Sequence, residues 1–516
     1  MMKTCVGIDF GTCNIKVVYK RGNKVRELKL HKDISIDSGD IPNVILYDKK
    51  KSDGGIQRII GRDAVKKHDI NNTVYYIKKK LQQADWKEHI DNLGKEVNAQ
   101  DVATDIFRII KESIYNSLKD DELEIAITMP VCYAELQKQR IYESASKAGI
   151  NVKAVLSESF AAAFSQEDIL EDGNVIFIFD FGGATLDVSV VRIEDQEDAL
   201  QVEEIASCGI NYGGTDIDEA ILAFFENKYG NQMKEIERCD LRYKDNMLQM
   251  VSELKEQLFS DDEDEVEESH PAPNGEFYNF VLTRDDVENI LKQTDIKENI
   301  ISMLDDMFDQ LDDVIKDDVT HVRLFGGSSY IPYFPKILTE YFGEEIFDCD
   351  EFTPEDYDEN AQIKTAVALG TARYMSMKDG DAVNVINRIP FHIGIKQKKY
   401  FKPIVDRNRA WGDNTTGWIT LDNDQLKQDN YEVKIYQSFA NVGMKALWND
   451  LEESASIIYM ATLQLKKELY DFNKTVYLKL YINTDGKLEA HLAQMKPVEN
   501  NVERVDLEKM IIGLGG

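Results

Sequence analysis

The sequence has no long apolar segment, and this absence sets the first limits on what the chain does. No apolar run approaches the roughly 18 to 20 residues that a helix needs to cross a bilayer. The N-terminal residues Met1–Cys5 lead directly into strand-like sequence, without the apolar core or the small-residue cleavage site of a signal peptide. We therefore expect a cytoplasmic protein that is neither secreted nor bound to a membrane.

Cysteine and histidine are few and scattered. The six cysteines form no Cys-x-x-Cys pair, and the seven histidines form no His-Glu-x-x-His pattern or His/Cys cluster. Zinc ligands and redox-active thiols usually stand at such spacings. We interpret the cysteines as small, mostly buried, reduced residues, and we expect neither a transition-metal site nor disulfide bonds.

Basic residues are outnumbered. The chain carries 61 Lys and Arg against 94 Asp and Glu, which gives a formal net charge of -33 at pH 7. Because a protein that binds phosphate backbones needs a basic face, nucleic acid is not an expected partner, and anionic membranes are disfavoured for the same reason. The length of 516 residues predicts two or more folded units, and the composition is that of a soluble globular protein.

The texture of the sequence changes once along the chain. Residues 1–380 alternate apolar strand-like runs with amphipathic helices, which predicts an α/β domain. From about residue 393 apolar and polar residues alternate with period two, as in Tyr431–Gln437 and Thr475–Ile482, which predicts an antiparallel β module. We therefore divide the chain into a domain at 1–380, a linker at 381–392, a β module at 393–500 and a short tail at 501–516.

Helix boundaries are also readable in the first domain. A helix is expected from Thr215 to about Lys228 behind a threonine cap, because Ile217 and Ile221 repeat at helical spacing. Another is expected to begin at Thr283, with Asp286 three residues further on.

One short pattern occurs twice. Gly7–Asn14 (GIDFGTCN) and Phe179–Asp187 (FDFGGATLD) both read as a strand, an aspartate, a tight glycine turn with a hydroxyl residue, and a second strand. Glycine turns let backbone N–H groups approach a phosphate closely, and threonine hydroxyls can donate to its oxygens. The acids Asp9, Asp180 and Asp187 suit a hydrated Mg²⁺. Two such turns facing each other would hold a polyphosphate from both sides.

A third glycine turn follows the strand-like run His321–Phe325. Gly326, Gly327 and Ser328 stand at a strand-to-helix turn, where glycines let a nucleoside pack against the backbone. The sequence contains neither the Walker A pattern nor a Gly-x-Gly-x-x-Gly run after a strand, so a P-loop or a dinucleotide-binding fold does not explain these glycines.

These three segments, in this order, resemble the two phosphate motifs and the adenosine motif of the actin-like ATPases, and most closely those of the DnaK-type heat-shock chaperones. Three further segments extend the resemblance: Asn72–Lys78 to the stretch with the catalytic lysine, Ser157–Ala163 to that with the catalytic-site glutamate, and Asn211–Asp216 to the Gly-Gly turn. The resemblance implies an α/β actin-like two-lobed ATPase domain, made of duplicated ribonuclease-H-like halves, followed by an antiparallel β-sandwich that binds peptides.

The resemblance also implies roles for single residues and for ligands. The catalytic residues would be Lys78, Asp180, Glu158 and Thr185. Lys78 would hold the attacking water, Asp180 would accept a proton from this water, and Glu158 would position the water. Mg²⁺ would be held by Asp9, Asp180 and Asp187; ATP and ADP are the implied nucleotides, with K⁺ as a further candidate. The nucleotide would contact Gly11, Thr12, Cys13, Asn14, Gly182, Gly183, Ala184, Thr185, Gly213, Gly214, Lys255, Gly326, Gly327, Ser328 and Tyr330. Unfolded or extended peptides, a J-domain cochaperone and a nucleotide exchange factor are the implied partners.

Several positions depart from the family pattern. Cys13 replaces a threonine, Ala184 a glycine, Ser252 a glutamate and Tyr330 an arginine, which predicts altered selectivity for the base. The linker lacks the family's run of leucines, and about 20 residues follow the β module, too few for the helical lid. Two rival functions stay open: a metabolite kinase or phosphatase of the same superfamily, and an actin-like filament protein.

Overall fold

The computed structural model describes most of the chain. The described residues are 3–28, 40–50, 54–67, 69, 71–83, 85–119, 122–133, 135–166, 170–196, 199–239, 243–260, 263–272, 275, 277–309, 311, 314–343, 365–379, 383–386, 388–389, 391–407, 409–410, 412–413, 416–428, 431–438, 447–453, 457–465, 474–482, 487–494 and 509–513. Parts of the predicted linker (residues 381, 382, 387 and 390) and of the predicted tail (residues 501–508 and 514–516) lie outside them.

The described elements alternate strands with helices through residue 379 and are mainly strands thereafter. The strands are β1 (Thr4–Phe10), β2 (Asn14–Arg21), β3 (Lys24–Glu27), β4 (Ile41–Pro42), β5 (Val44–Lys49), β6 (Ile56–Ile60), β7 (Thr73–Tyr75), β8 (Lys87–Ile90), β9 (Lys95–Asn98), β10 (Leu123–Met129), β11 (Val152–Ser157), β12 (Val175–Phe181), β13 (Leu186–Gln196), β14 (Ala199–Ile210), β15 (Glu265–Pro271), β16 (Phe277–Thr283), β17 (His321–Phe325), β18 (Val383–Ile386), β19 (His392–Gln397), β20 (Tyr400–Val405), β21 (Ile419–Thr420), β22 (Glu432–Ser438), β23 (Ile457–Gln464), β24 (Tyr477–Ile482), β25 (Lys487–Ala493) and β26 (Lys509–Gly513).

The helices are α1 (Arg62–Lys67), α2 (Ile77–Lys80), α3 (Ala99–Leu118), α4 (Glu135–Lys147), α5 (Glu158–Ala163), α6 (Gly214–Lys228), α7 (Gly230–Cys239), α8 (Tyr243–Ser260), α9 (Arg284–Lys292), α10 (Ile296–Phe308), α11 (Tyr333–Phe342), α12 (Ala366–Asp379), α13 (Asn423–Gln428) and α14 (Trp448–Glu453). Short 3₁₀ turns occupy Lys316–Asp318 and Gly327–Tyr330. None of the helices in the described part of the chain is both long and apolar enough to cross a membrane.

Two sheets with the same internal pattern form the first part of the chain. The first sheet has the order β11-β10-β1-β2-β3, with β4 also paired to β2, and the second has the order β17-β12-β13-β14-β18. In each, three successive antiparallel strands form a meander, and a later strand pairs in parallel with the first of them. The mixed α/β architecture predicted for this region is therefore confirmed.

Each sheet has its own apolar core, and a third core lies between them. The first core joins β1 and β2 to α3 through residues such as Ile8, Phe10 and Phe107. The second joins β12 and β13 to α6, α8 and α10. The shared core contains Cys5 and Ala126 of the first sheet together with residues of β12, α5 and α12, so both sheets are fixed against the same two helices.

Capping explains where two of the helices begin. The predicted cap of α9 is confirmed: Asp286 N–H donates to Thr283 Oγ1 (3.0 Å) and Thr283 N–H donates back to Asp286 Oδ2 (3.4 Å). The predicted threonine cap of α6 is wrong. The helix begins one residue earlier and its cap is Gly213, whose N–H donates to Asp216 Oδ2 (2.8 Å).

The described strands of the β module form two antiparallel sheets around one core. Their orders are β20-β19-β22-β23 and β21-β24-β25-β26. Alternate residues of both sheets, such as Ile393 and Ile435 of one and Leu478 and Leu488 of the other, meet in a single apolar cluster. β26 lies within the predicted tail and pairs with β25.

Part of the predicted linker adds a strand to the second sheet. β18 pairs in parallel with β14, with Glu203 opposite Ile386. The Arg388 guanidinium then donates to the buried Glu203 carboxylate through Nε (3.0 Å). Arg192 donates to the same carboxylate (2.7 Å), so the segment that precedes the β module is tied to the edge of the second sheet.

Candidate functional site

The two repeated turns lie at the ends of matching hairpins. The turn that contains Thr12 joins β1 to β2, and the turn Gly182–Thr185 joins β12 to β13. Asp180 and Asp187 are direct partners across the second hairpin. Asp9 lies near the end of β1, opposite Lys16. The hairpin register therefore brings the three predicted acids to the ends of their strands, next to the turns.

The two turns contact each other. A Cβ atom built on Gly183 would lie 2.6 Å from Cys13 Sγ and 3.7 Å from Cys13 Cβ, so a side chain here would press on the Cys13 thiol. Asn43 fixes the first turn from behind, because its side-chain amide donates to Gly11 O (2.7 Å) and its backbone N–H to Cys13 O (2.7 Å). Burial raises the pKa of Cys13 to about 12, which keeps it a neutral thiol. Asn14 begins β2 and is half-buried.

The Gly-Gly turn before α6 is bonded to the second phosphate-type turn. Gly214 N–H donates to Gly182 O (3.0 Å), and Thr215 N–H donates to Gly183 O (2.8 Å). Gly213 lies against the backbone of Ala184. These bonds place the N-terminus of α6 beside the turn, where the positive end of the helix dipole favours an anion.

The third glycine turn reaches the same place. Gly326 has φ 81, and a Cβ atom here would lie 2.5 Å from the Phe181 carbonyl carbon, so the backbone leaves no room for a side chain. Ser328 Oγ donates to Gly182 O (2.9 Å). Gly327 opens the 3₁₀ turn that ends at Tyr330, and the Tyr330 side chain packs against the core of the second sheet.

Lys255 joins these turns through a buried ion pair. Its Nζ donates to Gly214 O (2.8 Å) and lies 2.6 Å from Asp218 Oδ1. Burial raises the pKa of Asp218, although the ammonium group and a hydrogen bond from Ser252 both oppose the rise. Sequence reasoning missed Asp218. Its position on the buried stripe of α6, beside Ile217 and Ile221, was the available signal, because a carboxyl group there needs a partner.

Lys78 and Glu158 form a buried pair at the centre of the cleft. The two residues are 2% and 7% exposed, and the ammonium group donates to Glu158 Oε1. Burial alone lowers the pKa of Lys78. The Glu158 carboxylate outweighs burial and raises this pKa above its usual value. The Tyr133 ring lies 5.8 Å from Nζ. Lys78 therefore does not lie on an exposed helix face.

Two residues close to Lys78 in the chain, one on α2 and one just after it, reach across the cleft. Lys79 Nζ donates to Thr215 Oγ1 (3.5 Å) and lies 3.7 Å from Asp216 Oδ1. Gln82 Nε2 donates to Asn211 Oδ1 (3.2 Å). The short helix that carries Lys78 therefore contacts the beginning of α6, which belongs to the second sheet.

The carboxylates of the cleft repel one another. Burial, reinforced by Glu158, raises the pKa of Asp9 to about 7 and that of Asp187 to about 7. The pKa of Asp180 is raised well above its usual value by burial and then by Glu158, Asp187 and Asp9. Such a set of desolvated acids fits a divalent cation, whose charge would favour their ionised forms. Among the described residues, no three or more His, Cys, Asp or Glu groups are close enough to hold a bare ion directly.

Hydrogen bonds from the chain orient two of these acids. Asp187 Oδ1 accepts from the N–H groups of Val131 (2.6 Å) and Cys132 (3.3 Å), which follow β10 of the first sheet. The Thr185 hydroxyl donates to the same carboxyl group, and Thr128 Oγ1 donates to Asp9 (3.4 Å). Both sheets therefore contribute to one polar cleft lined by opposed glycine turns.

Comparison with known proteins identifies the family to which the chain belongs. A family model described as "Hsp70 protein" matches residues 44–444, which is more than half of the chain. The chain belongs to the Hsp70 family. Among relatives of this Hsp70-family chain is a protein named "Chaperone protein DnaK" from Stenotrophomonas maltophilia (strain R551-3), 26% identical over 443 residues, with 79% of the chain and 65% of the relative covered.

A second relative of the same name, from Psychrobacter cryohalolentis (strain ATCC BAA-1226 / DSM 17306 / VKM B-2378 / K5), is 28% identical over 232 residues. That match covers 40% of the Hsp70-family chain and 34% of the relative. The chain thus spans less than two thirds of the length of these curated relatives. The predicted family resemblance is confirmed.

Proposed function

We propose that this Hsp70-family chain binds Mg-ATP between its two glycine turns and hydrolyses it slowly, as a cytoplasmic chaperone-type ATPase. The observation that carries the proposal is the buried Lys78–Glu158 pair, which lies among three carboxylates with raised pKa values beside two opposed phosphate-type turns. Burying a lysine and a glutamate costs desolvation free energy. Phosphoryl transfer from a bound polyphosphate would employ both charged groups.

The turns would bind the polyphosphate mainly through the backbone. The N–H groups of Gly11–Asn14 and Gly183–Thr185 would bind the polyphosphate, whereas Gly182 N–H is bonded to Thr185 O (3.0 Å). The hydroxyls of Thr12 and Thr185 would contact the terminal phosphate. Ser328, Tyr330 and Lys255 would line the nucleoside end. K⁺ remains a further candidate ion beside ADP or ATP.

The reaction would transfer the terminal phosphoryl group to water by positioning and electrostatics. Lys78 holds the attacking water and stabilises charge that develops on the phosphate, while Glu158 fixes both the lysine and the water. Asp180 accepts the proton of the water. Asp9, Asp180 and Asp187 would hold Mg²⁺ through its hydration shell, and that ion supplies charge neutralisation at the phosphate oxygens when bound.

Two further features belong to the proposal. The shared meander of the two sheets supports an origin of the ATPase domain as duplicated ribonuclease-H-like halves. The antiparallel sandwich supports binding of an extended apolar peptide at a strand edge, where main-chain hydrogen bonds give affinity. A J-domain cochaperone and a nucleotide exchange factor are the partners that membership of the Hsp70 family suggests.

Steady-state ATP hydrolysis, with and without an unfolded apolar peptide, tests the proposal. Lys78→Ala is expected to lower kcat by about 10²–10³-fold, the usual cost of removing one stabilising donor. Lys80→Ala is the matched control, because Lys80 lies on the same short helix but pairs with Glu88 (3.4 Å) and stacks on Trp86 (4.6 Å). Its activity should equal that of the wild type.

The outcomes separate the rival functions. If Lys78→Ala abolishes hydrolysis and peptide accelerates it in the wild type, the protein is a coupled chaperone. Hydrolysis indifferent to peptide assigns the β module another partner, and turnover only with a small phosphate acceptor favours a metabolite kinase. ATP-dependent sedimentation of the protein favours a filament, and an absence of any nucleotide turnover refutes the catalytic assignment.

A further inference from the structure

A buried carboxyl group of β14 lies next to the cleft but outside the proposed machinery. Glu204 is 6% exposed. It stands at a β-bulge, because Val190 pairs with Ala206 while Val191 pairs with Glu204, so Ile205 is unpaired. Bulges re-aim side chains and are frequent beside active sites. Adjacent Glu203 binds Arg388 and Arg192, whereas Glu204 faces α5.

Two serine hydroxyls converge on one oxygen of this carboxyl group. Ser157 Oγ donates to Glu204 Oε1 (3.0 Å), and Ser189 Oγ donates to the same atom (2.5 Å). Ser159 Oγ lies 2.6 Å from Ser189 Oγ. A hydroxyl has one proton, so Ser189, whose proton goes to Glu204, accepts from Ser159. Two hydroxyl chains therefore lead from Glu204, one to Ser157 and the other through Ser189 to Ser159. Ser157 and Ser159 are the immediate neighbours of Glu158.

The same contacts fix the first turn of α5. Ser157 is the N-cap of this helix, and its Oγ accepts from Phe160 N–H (3.3 Å) while donating to Glu204. α5 is buried along its whole length. Glu158 is its first residue, so the direction in which the Glu158 side chain leaves the helix depends on how the cap is held.

We propose that Glu204 is a positioning residue, which holds Glu158, and through it Lys78, in the geometry that phosphoryl transfer requires. This inference rests on the proposed function. Glu204 touches neither Lys78 nor the glycine turns, and it acts only through the two hydroxyl chains. Side chains that orient reacting groups in this way usually change activity by about 10–100-fold when removed.

The environment of Glu204 indicates which substitution should preserve the role. Burial raises the pKa of Glu204, and the hydrogen bonds from Ser189 and Ser157 oppose that rise. The role requires an oxygen that accepts hydrogen bonds from two hydroxyls, and it does not require a negative charge. Glutamine has such an oxygen on a side chain of the same length, whereas leucine has the same bulk and no acceptor.

The test compares Glu204→Leu and Glu204→Gln in the full chain by steady-state ATP hydrolysis. We expect Glu204→Leu to lower kcat by about 10–100-fold with KM unchanged, because the Ser157 cap and Ser189 lose the oxygen that orients them while the glycine turns are intact. Glu204→Gln should restore kcat close to that of the wild type. A purely structural role would instead lower the thermal midpoint and the ATP-binding stoichiometry, and it would leave kcat per active molecule constant.

Ser189→Ala provides a milder variant if Glu204→Leu fails to fold, since it removes one hydroxyl chain and leaves the cap intact. Its kcat should fall while its thermal midpoint stays near that of the wild type. Unchanged kcat in Ser189→Ala and in folded Glu204→Leu overturns the inference. Lys78→Ala, measured beside them, keeps the two hypotheses apart: if it lowers kcat while folded Glu204→Leu leaves kcat unchanged, the proposed function stands and the role of Glu204 falls.

Discussion

The contact between the two glycine turns offers a direct test of how closely they must approach. In Gly183→Ala, the new methyl carbon would lie 2.6 Å from Cys13 Sγ. Non-bonded carbon atoms are most stable at separations of roughly 3.5–4.0 Å, so we expect the turns to separate by about 1 Å unless the Cys13 thiol rotates away. Gly183 does not adopt a left-handed conformation, and alanine introduces no backbone strain of its own. The substitution therefore perturbs only the spacing of the turns.

A displacement of this size has a predictable cost. Misplacing reacting groups by about 1 Å can lower activity by about 10²-fold, which corresponds to about 2.7 kcal/mol at 1.36 kcal/mol for each tenfold change. Cys13→Ala should relieve the clash, because the Gly183→Ala methyl would then meet only Cys13 Cβ at 3.7 Å and Cys13 N at 3.9 Å, both ordinary contacts. The double variant should recover most of the lost activity.

A double-mutant cycle measures this relief. The wild type, Gly183→Ala, Cys13→Ala and the double variant are compared by fluorescent-nucleotide titration and by single-turnover hydrolysis of ATP. We expect a coupling free energy of about 2 kcal/mol or more, at the upper part of the range for residues in contact. Additive effects would refute the reasoning, since they mean that the thiol rotates away or that the turns are already apart when nucleotide is bound.

Two further predictions concern stability. Phe225→Ala should lower the free energy of unfolding by about 3–5 kcal/mol, because Phe225 is fully buried and stacks on Phe280 (5.8 Å). Urea unfolding followed by circular dichroism measures this loss. Phe277 is 65% exposed, and Phe277→Ala is a control whose free energy of unfolding should stay within about 0.5 kcal/mol of the wild type. Burial lowers the pKa of His392 below 6.5, so the unfolded chain takes up the proton first and stability falls as the pH drops from 6.5 towards the folded pKa. His392→Asn, which keeps an acceptor for the Arg407 N–H, should show a flatter loss of thermal midpoint over that range, and an equally steep loss would contradict the assignment.

The strands and the glycine turns were predictable because their signals are local. The run His321–Phe325 became β17 with the predicted bounds, and Thr283 with Asp286 formed the predicted cap. Period and turn chemistry act over a few residues, and a single sequence shows them directly. The predicted cap of α6 was wrong for a non-local reason: Gly213, which lies against the Ala184 backbone of a distant turn, caps the helix in place of a threonine.

The contacts that make the cleft were not predictable from local pattern. Lys78 and Glu158 are 80 residues apart in the chain, and the pairing depends on both sheets being folded. Asp218 becomes a partner of Lys255 only when α6 and α8 pack together. Glu204 depends on a one-residue bulge, which shifts the side chains of a strand without leaving a mark in its hydrophobic alternation.

The short helix α2 has only four residues, and Tyr76 before it adopts a left-handed conformation with φ 53. Isolated helices need roughly 12–15 residues to persist in water, so the shape of α2 is imposed entirely by its surroundings. Part of that support comes from the second sheet, through the bonds of Lys79 and Gln82. Fixing a backbone residue costs about 1–2 kcal/mol of conformational entropy. Separation of the two sheets would break these bonds and return this entropy to α2, so the placement of Lys78 depends on the contact between the sheets.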